Sequence, residues 1–334
     1  MKVAVNGFGR IGKLVVRAAF ERGLVGKKFD IVAINDTHDP KISAHLFRYD
    51  STQGRFTGSV KAEPGKMIID GHEIALTADR DPANLPWAKL GVDLVLECTG
   101  AFTDRIGSSK HITAGAKKVL ISAPCKGGEA DATIVLGVND SIYDKKKHNI
   151  VSLGSCTTNC LAPVAKTLVD NFGIESGFMT TIHAYTNDQL ILDAHHKDYR
   201  RARSGAINII PTTTGAAKAI GDVIPSLKGK LDGLSLRVPV PVGSINDLTC
   251  TLSKPATKEE INAALKKEAN GKLKGIMAFC EDPIVSSDIV HTSESSIVDG
   301  LSTIAIGKST KVLSWYDNEW GFSNRMVELA GKMI

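Results

Sequence analysis

The sequence predicts an α/β protein in two parts, a doubly wound parallel sheet followed by an α+β domain on a mixed or antiparallel sheet. Three observations predict it. Short β-branched runs alternate with helical patterns through the first half, as in βαβ units. A glycine-rich turn, Gly7-Phe-Gly9-Arg-Ile-Gly12, joins the first such run to the first helical pattern. In the second half, strand-like runs follow one another with few helices between them.

In chain order, residues 2–6 read as a strand, 11–21 as a helix and 31–35 as a second strand. Residues 56–76 carry paired strand-like runs around Asp70-Gly71, which predicts a hairpin insertion. Apolar runs at 92–98, 119–122, 133–138 and 150–152 supply the other strands of the first sheet. Residues 157–171 have helical periodicity, and 178–184 read as a strand. Residues 185–205 are polar and basic, with Lys197, Arg200, Arg201 and Arg203 set against Asp188, Asp193 and Asp198. A loop of about 20 residues inside a compact domain usually carries function. Further strands are expected at 235–238, 247–252, 297–298 and 311–315. A helix over 258–269 opens on Thr257 with Glu260 three residues on, a capping box, and 322–332 forms a terminal helix. The expected domains are 1–155, rejoined by a C-terminal helix at 318–334, and 156–317.

Composition narrows the classes. A chain of 334 residues buries about three quarters of its unfolded surface and needs no staples. With 43% apolar residues and a net charge of +5, it is not a disordered polymer. No window approaches the ~18 uninterrupted apolar residues of a membrane span. Asn6 interrupts the first apolar stretch too early for a signal peptide. Six cysteines without a Cys-x-x-Cys pair fit no disulfide framework and no metal site, so a reducing, cytoplasmic setting is expected. The mild positive charge implies no nucleic-acid partner but suits small anionic substrates.

The turn at 7–12 fits G-x-G-x-x-G in the setting that motif requires, after a strand and opening a helix. Gly7, Gly9 and Gly12 permit a tight turn, close approach to a pyrophosphate and close helix–strand packing. Asp36 closes the second strand, where a carboxylate takes the ribose hydroxyls of NAD. A plain glycine turn with a solvent-facing aspartate also fits.

Ser155-Cys156-Thr157-Thr158-Asn159-Cys160 lies between a strand and a helix. Cys156 therefore sits at a helix N-terminus, where the dipole and free N–H groups favour a thiolate and can hold an oxyanion. A free thiol has a pKa near ~8.5 and needs a partner. His183, at the end of the 178–184 strand, is the candidate base. From position alone, Cys156 also fits a buried core cysteine. Cys160, one turn deeper, reads as an inert core thiol, and His195 and His196 as loop residues. Arg201, Arg237 and the hydroxyls of Thr157, Thr186 and Thr214 can reach one anion site, and Thr212-Thr213-Thr214-Gly215 precedes a helix. Surface ion pairs would explain the arginines equally well.

At these motifs the chain resembles the phosphorylating glyceraldehyde-3-phosphate dehydrogenase family. The matching stretches are 6–12, 155–163, 180–189, 209–219, Arg-Val-Pro-Val-Pro at 237–241 and Trp-Tyr-Asp-Asn-Glu-Trp-Gly at 315–321, and the resemblance covers essentially the whole chain. It implies a Rossmann-type NAD domain and a catalytic domain. It implies that Cys156 attacks the aldehyde of glyceraldehyde 3-phosphate, that His183 pairs with the thiolate and acts as base, and that inorganic phosphate resolves a thioester. It assigns the substrate phosphate to Thr186, Arg201 and Arg237, and the attacking phosphate to Ser155, Thr157, Thr214 and Gly215. It adds Arg10, Ile11, Arg80, Ser122 and Asn318 to the cofactor contacts, Asn318 on the nicotinamide carboxamide. It also implies a homotetramer, with 185–205 as an inter-subunit loop.

Three departures stand out. Leu153-Gly154 replaces the usual Asn-Ala, Phe322 stands where a Tyr is common, and Thr37 and Ala194-His195 resemble NADP-tolerant members. NAD is expected as main coenzyme, with secondary NADP use that rises as pH falls. The competing readings are an erythrose-4-phosphate dehydrogenase and a non-catalytic dinucleotide-binding protein.

Overall fold

The computed structural model describes residues 1–125 and 130–333, and the chain divides into two compact units. The first comprises Met1–Ile134, Ser141–Gly154 and Ser323–Ile334, the second Val135–Asp140 and Ser155–Phe322. These units differ from domains of 1–155 with 318–334 and 156–317 at Val135–Asp140, Ser155 and 318–322; Val135 packs into the second unit's apolar core.

The first unit holds strands β1 (Lys2–Asn6), β2 (Asp30–Asn35), β5 (Val60–Glu63), β6 (Lys66–Ile69), β7 (His72–Thr77), β8 (Leu94–Glu97), β9 (Lys118–Ile121), β10 (Ala132–Thr133) and β11 (Ile150–Ser152). Between β2 and β5, β3 (Tyr49–Asp50) and β4 (Gly54–Arg55) pair with each other. Its helices are α1 (Arg10–Glu21), α2 (Pro40–Arg48), α3 (Trp87–Leu90) and α4 (Arg105–Thr113). The sheet order is β10-β11-β9-β8-β1-β2-β7-β6-β5. Pairing is parallel from β10 to β7. The chain leaves β1 in one direction through β2 and β7, then returns on β1's other side as β8. Ligands of open α/β sheets sit at such a switch point.

Two expectations change here. The 56–76 segment is no separate insertion: β5, β6 and β7 form an antiparallel meander turning at Asp70 and Gly71, both at positive φ, and β7 joins the main sheet beside β2. The run at 133–138 is strand only at its start. Asn139 Oδ1 accepts the Val135 N–H at 2.7 Å, which turns the chain out of the sheet.

β8 is buried along its whole length. Beside it, Trp87 Nε1 donates to His111 Nδ1 at 3.0 Å, and His111 Nε2 meets Glu97 Oε2 at 3.0 Å, all three residues fully buried. Asn6 Nδ2 donates to the same carboxylate oxygen at 2.6 Å, and Asn35 Nδ2 to Asn6 Oδ1 at 2.7 Å. This polar chain ties together the C-terminal ends of β2, β1 and β8. A buried polar chain with every member partnered rigidifies its surroundings.

In the second unit, strands β12 (Ile174–Ala184), β13 (Ile210–Thr213), β14 (Leu231–Val238), β15 (Ser244–Leu252), β16 (Met277–Cys280), β17 (Ser296–Asp299) and β19 (Ser309–Tyr316) follow the order β13-β14-β12-β15-β19-β17-β16, with β18 (Ile304–Ile306) beside β19. The sheet is mixed: β12 runs parallel to β14 and antiparallel to β15. Helices α5 (Cys156–Phe172), α6 (Ala216–Val223) and α7 (Lys258–Asn270) cover one face. Leu161 and Leu168 of α5, Ile220 of α6 and Leu265 of α7 pack with Met179, Leu248 and Val312 of the strands. Thr257 caps α7 with the expected capping box. Residues 185–205 contain no regular element. Helix α8 (Trp320–Lys332) begins in this unit and ends in the first.

Candidate active site

In the first unit, Gly7 follows β1 at φ +90°, and Gly9 is the N-cap of α1, with no side chain capping the helix. A Cβ on Gly12 would lie 2.0 Å from the Gly7 carbonyl oxygen, so any side chain there would break the turn. At Gly9 the reverse holds: a Cβ would meet nothing within 4 Å and would project into open space. Gly7, Gly9, Asp36, Arg80 and Thr99 line one cleft. Uncapped helix N–H groups beside an open glycine suit a pyrophosphate, so these residues fit a dinucleotide.

Asp36 lies just past β2. Its Oδ2 accepts from Ser43 Oγ at 3.0 Å, and its Oδ1 meets His38 Nδ1 at 2.7 Å. Arg10 donates to Asp50 Oδ2 at 2.6 Å and Thr52 Oγ1 at 2.7 Å, and its backbone N–H opens the helix. Ile11 lies in the first turn of α1, Arg80 is exposed, and Ser122 follows β9.

In the second unit, Ser155 is the N-cap of α5, its Oγ accepting from Thr158 N–H at 3.0 Å. Cys156 is the first helical residue. Its Sγ lies 3.6 Å from His183 Nε2. Burial pushes the thiol up, while Arg237 and the backbone N–H groups of Thr157 and Cys156 pull it down. His183 Nδ1 is 2.7 Å from the Ala184 carbonyl, which can only accept. Nδ1 thus faces a carbonyl acceptor and, from Arg237, a guanidinium donor, while Nε2 faces the thiol. Burial first, then Arg237, hold the imidazole down at about 3.

Strand register brings Arg237 to this pair. β12 and β14 run parallel with His183 opposite Arg237. Arg237 Nη1 donates to the Ala184 carbonyl at 3.1 Å and lies 2.9 Å from His183 Nδ1. Its Nε is buried without a hydrogen-bond partner among the described residues. An orphaned buried donor on a cation calls for an acceptor that the protein does not supply. Arg201 acts electrostatically on both Arg237 and His183. It is itself paired with Asp188 and donates to Thr212 Oγ1 at 3.0 Å. Arg201 thus forms an ion pair within the basic loop and lies close enough to act on His183 and Arg237.

Thr186 follows β12 and lies half-buried at the start of the basic loop. Gly215 is the N-cap of α6 with no capping side chain and open space at its missing Cβ; Thr214 Oγ1 accepts from Ala216 N–H at 3.2 Å. Thr157 is buried at the start of α5. Its hydroxyl lies 2.9 Å from Tyr316 OH and also supports the Cys156 sulfur, so it is shared between the tyrosine and the site. Asn318 Oδ1 accepts from Gly243 N–H at 3.2 Å and Ser244 Oγ at 3.0 Å, which fixes the amide.

Sequence reasoning missed Tyr316. Its hydroxyl bonds Thr157 of α5 and Thr181 of β12 (2.8 Å), and its ring stands edge-on to His183 at 5.9 Å, so it ties the thiol's helix to the base's strand. The 315–321 motif contained this residue without showing what it touches. His196 is turned to Asp188 at 3.4 Å within the basic loop. Cys160 is fully buried, and burial pushes its thiol up to about 12, which leaves it inert.

A dinucleotide cleft in one unit and a thiol–imidazole–guanidinium cluster in the other define a nucleotide-dependent oxidoreductase. Residues 1–105 match the glyceraldehyde 3-phosphate dehydrogenase NAD binding domain, and residues 155–318 its C-terminal domain. The chain is 57% identical to glyceraldehyde-3-phosphate dehydrogenase of Borreliella burgdorferi, covering 100% of both chains. It is 54% identical to that of Geobacillus stearothermophilus and 53% to glyceraldehyde-3-phosphate dehydrogenase 1 of Bacillus subtilis, in each case over 99% of this chain and 97% of the relative. The chain belongs to the glyceraldehyde-3-phosphate dehydrogenase family.

Proposed function

We propose that this chain oxidises and phosphorylates D-glyceraldehyde 3-phosphate to 1,3-bisphosphoglycerate, with NAD as coenzyme, through a thioester on Cys156. The observation that carries this is the 3.6 Å pairing of Cys156 Sγ with His183 Nε2 beside the partnerless Nε of Arg237. His183 Nε2 takes the thiol proton, and the thiolate attacks the aldehyde carbon. A C–S bond forms, the carbonyl π pair moves to oxygen, and that oxygen takes the proton back from His183. His183 then accepts the hydroxyl proton as hydride leaves the carbon, and the carbonyl reforms as a thioester. Bound NAD supplies the hydride acceptor. A phosphate oxygen attacks the thioester, the new C–O bond displaces the Cys156 thiolate, and the acyl phosphate departs.

Thr186, Arg201 and Arg237 hold the substrate phosphate. Ser155, Thr157, Thr214 and Gly215 hold the attacking phosphate. Gly7, Gly9, Arg10, Ile11, Gly12, Asp36, Arg80, Ser122 and Asn318 hold the cofactor, Arg10 through its backbone. A homotetramer in the cytoplasm completes the reading. The exposed Phe178 of β12, Leu234 of β14, and Tyr199 and Ile207 nearby in sequence supply apolar surface for subunit contacts. Among the described residues, no helix is long and apolar enough to cross a membrane. Secondary NADP use is part of the proposal, through Thr37 and His195.

Steady-state kinetics test it. NAD reduction should require both glyceraldehyde 3-phosphate and inorganic phosphate, exceed turnover of erythrose 4-phosphate and vanish in Cys156→Ser. Retained activity in the serine variant, or a preference for the four-carbon sugar, overturns it.

A further inference from the structure

We infer that His38 sets how strongly this chain discriminates between coenzymes with and without a 2′-phosphate, by occupying one oxygen of Asp36. The inference rests on the reading of Asp36 as the ribose-binding carboxylate.

Asp36 Oδ1 accepts from the His38 backbone N–H at 3.3 Å and meets the His38 ring at Nδ1, 2.7 Å away; Oδ2 accepts from Ser43 Oγ at 3.0 Å. A carboxylate offers about four lone-pair sites, and three of these are taken. A ribose with free 2′- and 3′-hydroxyls has two donors to place, and one site remains. The second hydroxyl must displace a neighbour. Ser43 is 4% exposed and fixed on α2, whereas the His38 side chain is 79% exposed. His38 is the group that yields, and its displacement weakens NAD binding.

The same contact acts in the opposite sense on a 2′-phosphate. That group brings negative charge and is repelled by a bare carboxylate. A ring N–H donated to Oδ1 spreads part of that charge, as does Lys13 of α1, whose ammonium is coupled to Asp36. Arg80 lines the same cleft as Asp36 and His38 and offers a cation to the phosphate. His38 thus disfavours NAD and favours NADP through one atom, Oδ1 of Asp36.

The test measures Kd for NAD and NADP by calorimetry, and kcat/KM with each, in wild type, His38→Ala, His38→Phe and Asp36→Ala. Freeing one charge-assisted acceptor at an exposed site is expected to raise the NAD-to-NADP ratio about three- to tenfold in both His38 variants. His38→Phe keeps the ring and loses the donor, so it separates hydrogen bonding from bulk. A ratio that is unchanged or lower in both, or raised only in His38→Ala, overturns the role of the donor. Asp36→Ala should collapse the ratio. If it does not, the reading of Asp36 fails; if it does and the His38 variants behave like wild type, only the present inference fails.

Discussion

Replacing His183 by Asn probes the link between geometry and chemistry most directly. When the Cys156 proton moves to Nε2, two opposite charges arise 3.6 Å apart. At an effective dielectric constant near 20, their attraction is about 4.6 kcal/mol. One pKa unit corresponds to about 1.4 kcal/mol, so forming the thiolate raises the imidazole by up to about three units from the value of about 3 it has beside a neutral thiol, and the thiol loses the reciprocal support when the imidazole goes. The remaining helix N–H groups and Arg237 make a shift of two to three units the expectation. The assay is the pH dependence of alkylation by iodoacetamide, which carries no charge to be steered. Cys156 should be labelled in both proteins and Cys160 in neither. The midpoint in His183→Asn should move upward, with a rate at pH 7 roughly a hundredfold lower. An unchanged midpoint in a folded variant would show that the thiolate is not stabilised through Nε2.

Arg237→Leu should raise the KM for the sugar phosphate strongly, whereas Thr214→Ala should raise chiefly the KM for inorganic phosphate; identical behaviour in both titrations refutes two separate anion sites. Gly12→Ala should abolish NAD binding, measured by calorimetry, because its Cβ would sit 2.0 Å from the Gly7 oxygen. Acid stability gives an independent check on the imidazole. His183 titrates at about 3 when folded against 6.5 in a model peptide. The unfolded chain therefore binds the extra proton between those values, and stability falls as pH drops through that window, by up to about 1.4 kcal/mol per unit. The urea midpoint of His183→Asn should fall less steeply with acidification than that of wild type.

Local rules were legible in the sequence. The strand–turn–helix at 2–21, the position of Cys156 at a helix start, and the Thr257 capping box each depend on a few neighbouring residues, and the structure has all three. α2 carries local signals of a different kind: Asp39 caps it and Pro40 opens it, without a long apolar stripe. α4 was harder, since its apolar residues form no continuous stripe and only Asp104 marks its start. The elements that depend on distant pairing escaped. Nothing near 72–77 reveals that β7 lies parallel to β2, and 54 residues separate His183 from the Arg237 that register sets beside it. The cysteine and its candidate base were readable as single positions; the Tyr316 hydroxyl that links their elements was not, because side-chain partners are set by packing.

The buried chain of Trp87, His111, Glu97 and Asn6 has a consequence for measurement. The indole N–H claims His111 Nδ1, so the ring's own proton resides on Nε2 and is handed to Glu97. Asn6 must then present its NH2 to the carboxylate and its oxygen to Asn35, which fixes the amide orientation. That imidazole proton has no path to solvent while the first unit is closed. Its exchange with deuterium is therefore a clock for rare opening events of the sheet's interior. A single resonance, followed with and without dinucleotide, would report how much the coenzyme slows the breathing of the strands that carry its own binding loop.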